Sequence, residues 1–273
     1  MKKIDFMKKI VLIFCAISSV LSCKCNQKDT AANNAAKHFE YAHGGIVRGD
    51  THEKKIAIVF TSDGYYDGYE IIRNTLKKHN AKGSFFFTGN AYRLPEFEDI
   101  VNSLKSDGHY LGAHSDKHLL YCAWEKRDSL LVTKDEYVAD IENNYAEMQK
   151  FGISKTDAPY YLPAYEYYND TISVWTTELG LQLINFTGGT GSNADYTTPD
   201  MGNKYRDSQT LFNNILMFEA EKPNGLNGFM LLIHFGVDPR RTDKLYNRMD
   251  ELITELKNRD YSFIDIIELL EQN

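Results

Sequence analysis

The chain has 273 residues and a formal net charge of −7 at neutral pH, with 42% of its residues hydrophobic, the balance of a globular chain with material for a sizeable core. Residues 1–22 hold four Lys and one Asp, a net of +3, so the remainder carries −10. An acidic surface of that size excludes the basic footprint on which nucleic-acid binding depends.

The leader comes first. Lys2, Lys3, Lys8 and Lys9 make a basic start, and an almost unbroken apolar run from Ile10 to Leu21 is followed by small residues and Cys23. This order is that of a secretory signal over residues 1–22, too short to be a comfortable membrane span. Val20-Leu21-Ser22-Cys23 resembles a bacterial lipobox, which implies that Cys23 becomes the lipidated first residue of an exported, membrane-anchored lipoprotein. An ordinary signal peptide or an uncleaved anchor is the competing reading. Residues 23–54 are polar and rich in Ala and Asn, and read as a tether between lipid and domain. With Cys15 in the leader and Cys23 in the lipobox, only Cys25 and Cys122 remain, without CxxC spacing. A disulfide framework or a cysteine zinc site is therefore not expected, and neither is a Cys25–Cys122 bridge, although export to an oxidising compartment permits one.

From Lys55 onward two kinds of segment alternate over a single domain, residues 55–273. Short β-branched or aromatic runs predict strands at Ile56–Phe60, Ser84–Phe87, Tyr110–Ala113, Tyr160–Leu162, Leu181–Phe186, Phe229–His234 and Ser262–Ile264. Helical spacing predicts helices over Tyr69–His79, Phe97–Leu104, Lys134–Phe151, Ile172–Leu179, Tyr246–Arg259 and Ile266–Leu270. The alternation is that of an α/β fold with parallel strands and crossover helices. About seven such units close into a barrel or make an open doubly wound sheet, and the pattern admits both. In either case chemistry gathers at the carboxyl ends of the strands.

Four residues meet that condition. Asp63 follows the first strand in Thr61-Ser62-Asp63-Gly64; taken alone, Asp before Gly is turn chemistry more often than a ligand. His114 and His118 follow the third strand at a spacing of four, which puts two imidazoles on one face of a helical turn and suits two ligands of one metal ion. His234 ends the most apolar strand, Phe229–Ile233, and is a candidate general acid because its ordinary pKa lies near neutrality. Two histidines and one carboxylate with open positions are what a hydrolytic metal centre needs.

Order, spacing and strand context together resemble the polysaccharide deacetylase family, also called the NodB-homology family or carbohydrate esterase family 4. The matched motifs are Phe60-Thr61-Ser62-Asp63-Gly64, His114-Ser115-Asp116-Lys117-His118 and Leu232-Ile233-His234, and the resemblance spans roughly residues 55–270. It implies a distorted (β/α) barrel of about seven parallel strands that removes N- or O-acetyl groups from a carbohydrate polymer. It further implies that Asp63, His114 and His118 hold a divalent metal, usually zinc or a similar ion, and that His234 protonates the leaving group. The family's general-base Asp is replaced by Ser62, which holds no negative charge at neutral pH. Its Arg before Pro falls at Tyr161 in Tyr161-Leu162-Pro163, a coherent pair of losses because an Arg without its carboxylate is an unpaired charge. The family's Asp before Trp aligns loosely with Asp195-Tyr196.

Two outcomes follow. Another carboxylate serves as base, from Asp67, Asp116, Glu166 and Asp195 in predicted strand-end loops, with Asp67 and Asp195 set beside His234 as the catalytic group. Alternatively the site is retained for carbohydrate binding by a catalytically impaired lipoprotein. The 18 Tyr and 15 Phe include Tyr65, Tyr66, Tyr160, Tyr161, Tyr165, Tyr167 and Tyr168 near strand ends, with Trp124, suited either to sugar stacking or to packing the barrel rim. Arg240 and Arg241 after Asp238-Pro239 either bring a guanidinium toward the site or form a solvated charge run.

Overall fold

A computed structural model describes residues 38–271; the leader, Cys23 and Cys25 lie outside the described residues. Within the stretch expected to be tether, residues 40–48 instead form a hairpin of β1 (Glu40–Ala42) and β2 (Gly45–Arg48). It is tied to the body of the protein by Arg48, whose guanidinium donates to the carbonyls of Asn227 and Gly225, both at 2.9 Å. No sustained apolar alternation marks this segment, which is why the sequence alone reads it as linker.

The remaining elements alternate as expected: β3 (Lys55–Ser62), α1 (Tyr69–Lys78), β4 (Gly83–Phe87), α2 (Gly89–Tyr92), α3 (Glu96–Ser106), β5 (Tyr110–Ala113), α4 (Lys134–Gln149), β6 (Tyr160–Tyr161), α5 (Asp170–Glu178) and β7 (Gln182–Leu183). They continue as α6 (Ser208–Glu221), β8 (Phe229–His234), α7 (Met249–Lys257), β9 (Ser262–Phe263) and α8 (Ile266–Leu270). Helix α6 has no counterpart among the predicted elements. It buries only Ser208, Leu211, Phe212 and Ile215, too narrow a stripe to stand out in the sequence. Helix starts are set by local chemistry, such as the reciprocal capping of Thr133 and Glu136 on α4.

The sheet runs β7-β6-β5-β4-β3-β8, all parallel, with β9 paired to the start of β3. A doubly wound sheet reverses its strand order at a central switch point. Here β3 to β7 neighbour one another in sequence order and β8 returns beside β3, the order of a barrel. Thr187, just past β7, bridges the open side: its amide donates to the Met230 carbonyl at 2.9 Å, and its hydroxyl donates to the Val47 carbonyl and accepts from the Met230 amide. The chain therefore takes the curled (β/α) form rather than the open sheet.

Ile56–Phe60 and Phe229–Ile233 are wholly buried, as strands covered on both faces must be. Phe85 stacks on Phe60 at 4.7 Å between ring centres, and Phe85 and Phe87 both meet Phe235. Gly112 stands opposite Phe86 in the β4–β5 register, and a Cβ there would come 2.5 Å from that ring. Truncating such a buried ring removes transfer energy and leaves a cavity, so Phe85→Ala is expected to cost about 3–5 kcal/mol. Urea unfolding followed by far-ultraviolet circular dichroism measures it, and a loss under about 1 kcal/mol would mean the barrel closes over the gap.

Candidate active site

The strands at the centre of the barrel end together. Thr61 pairs with His234, Ser62 with Phe87, Phe87 with Ala113 and Ala113 with Tyr161. Residues that follow these positions, Asp63, Thr88, His114 and Leu162, therefore stand on one rim with His234.

His114 is 1% exposed and fixed at both ends. Its amide donates to Oδ1 of Asn144, and its Nδ1 lies 2.8 Å from the Leu162 carbonyl, which selects the tautomer with the proton on Nδ1 and leaves the Nε2 lone pair free. Burial, reinforced by His118, drives its pKa well down, so the ring is neutral. The predicted helical turn between the two histidines is not formed. Ser115 (φ 78°) and His118 (φ 55°) are left-handed, and residues 114–118 make a tight loop whose two rings still stand 5.2 Å apart. That loop is anchored from behind by Asp140, which accepts from the Ser115 hydroxyl (2.6 Å), the Lys117 amide (3.0 Å) and the Tyr121 hydroxyl (2.6 Å).

Asp140 and Asn144 lie outside every motif of the sequence, yet helix α4 carries a signal for them. The buried face of α4 reads Tyr137, Asp140, Ile141, Asn144, Tyr145, Met148, so two polar residues occupy positions on an otherwise apolar stripe. Buried polar groups hold such places only with partners.

Asp63 is aimed by Thr88 and Asn90, which donate to its Oδ1 at 2.8 and 3.1 Å. Thr88 also caps α2 by accepting from the Ala91 amide. His118 is lowered by burial, with the Asp63 carboxylate pulling its pKa the other way. Asp116 is not available as a base: it is 3% exposed and accepts from Arg93 at 2.6 Å.

His234 and Asp195 form a close pair. Asp195, 1% exposed, accepts from His234 Nδ1 at 2.6 Å and from its amide at 2.9 Å. Burial opposes protonation of the ring, but the Asp195 carboxylate, with help from Glu166, overrides it and raises the pKa. The sequence places Asp195 and Asp67 together beside His234; the structure separates their tasks. Asp67 Oδ1 accepts from the Val237 amide, and its Oδ2 meets the Tyr246 hydroxyl and the Lys244 ammonium. Both oxygens hold the 237–246 segment, and burial notwithstanding these donors keep its pKa low, so Asp67 is an anchor and not a poised base.

Glu166 enters from the loop after β6. Its Oε1 lies 3.8 Å from His114 Nε2, and its side chain is 12% exposed. Burial, with Asp195 adding and His234 opposing, pushes its carboxyl up to about 7. Ser62 is folded into its own turn, donating to the Tyr65 carbonyl and accepting from the Gly64 amide. Tyr161 is wholly buried, its hydroxyl 3.0 Å from that of Tyr121. Arg240 pairs with Asp238 and Asp200 near the surface, and Arg241 is buried against Thr197 and Ser208; neither stands in for the missing guanidinium. Tyr165 lies 4.4 Å from His118, with Trp124 at 6.0 Å from it, and Tyr196 flanks His234 at 5.6 Å, so exposed aromatic rings border the rim on two sides. Cys122 is buried and free.

Two imidazoles and a carboxylate, with Leu162 fixing one tautomer and Thr88 and Asn90 orienting the carboxylate, are a donor set suited to a divalent ion such as zinc. Among the described residues no three His, Cys, Asp or Glu side chains are gathered tightly enough to hold an ion as they stand.

The family model for polysaccharide deacetylase matches residues 48–184. The peptidoglycan-N-acetylmuramic acid deacetylase PdaA of Bacillus subtilis (strain 168) is 26% identical over 224 residues, covering 81% of this chain and 73% of that protein. The PdaA structure superposes with a TM-score of 0.63 at 22% identity, over 84% of this chain and 85% of that one. A CE4 family pseudoenzyme from Bacillus anthracis superposes equally well, TM-score 0.63 at 17% identity, over 85% of this chain and 70% of that one. A mutant of that pseudoenzyme has restored enzymatic activity. At these identities the two superpositions speak to the fold alone.

The His234–Asp195 pair makes a direct prediction. Removing the charge leaves the burial that disfavours imidazolium, so Asp195→Asn is expected to lower the His234 pKa below its ordinary value, whereas in the unaltered chain it lies above. Titration of the ring followed by NMR reads the shift, and an unchanged midpoint would show that Asp195 does not set it.

Proposed function

The chain belongs to the polysaccharide deacetylase family, and we propose that it is a metal-dependent hydrolase that removes acetyl groups from a polysaccharide outside the cytoplasm. The observation that carries this reading is the opposition of two differently tuned histidine sets on one rim: neutral His114 beside His118 and Asp63, and His234 held on Asp195 at 2.6 Å. When bound, a divalent ion held by Asp63, His114 and His118 supplies Lewis acidity toward the acetyl carbonyl and lowers the pKa of water. The chain's own residues do the rest. Asp195 keeps His234 oriented and stabilises its protonated form, so Nε2 carries a proton toward the leaving nitrogen or oxygen. Tyr165, Trp124 and Tyr196 offer ring faces on which sugar units stack. Relatives that act on peptidoglycan and chitin make a carbohydrate polymer the substrate class favoured here. The leader over residues 1–22, followed by Cys23, fits an exported enzyme tethered by lipid, with the polymer within reach of the membrane surface.

A second reading rests on a specific observation. Ser62 closes its own turn and Tyr161 is buried among aromatic rings, so neither supplies the charge its position would call for. On that reading the protein binds glycan and hydrolyses it slowly or not at all.

Acetate release from acetylated peptidoglycan fragments and chitin oligomers, with and without zinc or cobalt, separates the two. A deacetylase releases acetate only with metal, and Asp195→Asn is expected to slow it by on the order of 10² to 10⁴, the usual worth of general acid catalysis. Binding without release, together with release gained on Ser62→Asp, would instead establish the impaired protein.

A further inference from the structure

We infer that Glu166 is itself a ligand of the divalent ion, a second carboxylate delivered to His114 from the loop after β6. The inference rests on the metal-dependent reading above and adds to it a donor that the matched motifs do not contain.

The geometry is that of two donors awaiting a shared partner. Nδ1 of His114 is committed to the Leu162 carbonyl, so the Nε2 lone pair is what faces Glu166. The separation of 3.8 Å between Nε2 and Oε1 is too long for a hydrogen bond. Nitrogen and oxygen ligands sit about 2.0–2.2 Å from zinc, so two of them on one ion stand at most about 4.2 Å apart. The separation of 3.8 Å lies within that reach, so one ion held by both atoms would require no backbone movement at either.

The surroundings of the carboxylate point the same way. Among the described residues no lysine or arginine pairs with Glu166, and no hydroxyl or amide donates to its carboxylate; its one close polar contact is His114. Asp63, by contrast, already has two donors on Oδ1. Burial disfavours the charged form of this carboxyl, and a cation shared with His114 is a partner that would stabilise it. The backbone holds it there deliberately: Tyr165 and Glu166 are left-handed at φ 58° and 51°, fixed by the Glu166 amide on the Pro163 carbonyl and by Asn185 donating to the Glu166 carbonyl at 2.7 Å. Strained residues of this kind persist where the surrounding structure over-determines them.

The test is Co²⁺ binding by the purified full chain, read by calorimetry and by the visible absorption of the bound ion. Glu166→Gln keeps the shape and removes the charge; it is expected to weaken Co²⁺ by at least about tenfold and to change the visible band. Without metal the same variant should melt no lower than the unaltered protein, because the side chain removed is a buried charge and not a packing element. Co²⁺ bound by the unaltered chain, lost in His114→Ala, but held with unchanged affinity and spectrum by Glu166→Gln, would overturn the assignment of Glu166 alone. No Co²⁺ uptake by the unaltered chain would remove the metal reading and this inference with it.

Discussion

Parallel strands that end in register are the constraint on which the rest of this structure depends. Each strand presents its last carbonyls and the first residues of its loop in one direction, so β3, β4, β5, β6 and β8 all discharge into the same space. Asp63, Thr88, His114, Glu166 and His234 lie as much as 171 positions apart in the chain and become neighbours only through that pairing. The register is held by side chains buried on both faces, where a slip of one residue would turn Phe85 and Phe87 out of their aromatic cluster.

Behind the rim is a layer whose task is orientation. Asn144 ties His114 to the end of β4, and Asp140 holds the loop between the two histidines in a backbone form that Ser115 and His118 do not adopt freely. A buried carboxylate meeting three donors rigidifies such a loop, because each partner left unpaired costs about 1–3 kcal/mol. Precision at the histidines is thus set from helix α4, one element away.

The two departures from the family motifs are absorbed by the fold in different ways. Ser62 becomes part of a tight turn through its own hydroxyl. Tyr161 joins Tyr121 and Asp140 in a chain of buried hydroxyls, so its place is filled without a charge. Beside the Asp63 carboxylate after β3, the rim carries a second carboxyl group in the loop after β6, where Glu166 stands against His114. Both departures leave the barrel intact, as expected where sites vary on a constant scaffold.

The sequence by itself determined the alternation of strands and helices, the burial of β3 and β8, and the placement of Asp63, His114, His118 and His234 at strand ends, because periodicity and apolar runs are local properties of the chain. It did not decide between barrel and open sheet; that choice turned on Thr187 meeting Met230 across 43 positions. It did not separate Asp67 from Asp195, since both read as acidic loop residues until one is seen on His234 and the other on Val237, Lys244 and Tyr246. Nor did it show that Glu166 faces His114, or that Asp140 and Asn144 support the histidines. Which partner a polar side chain finds is fixed by contacts between segments distant in sequence, and only the tertiary structure brings those segments together.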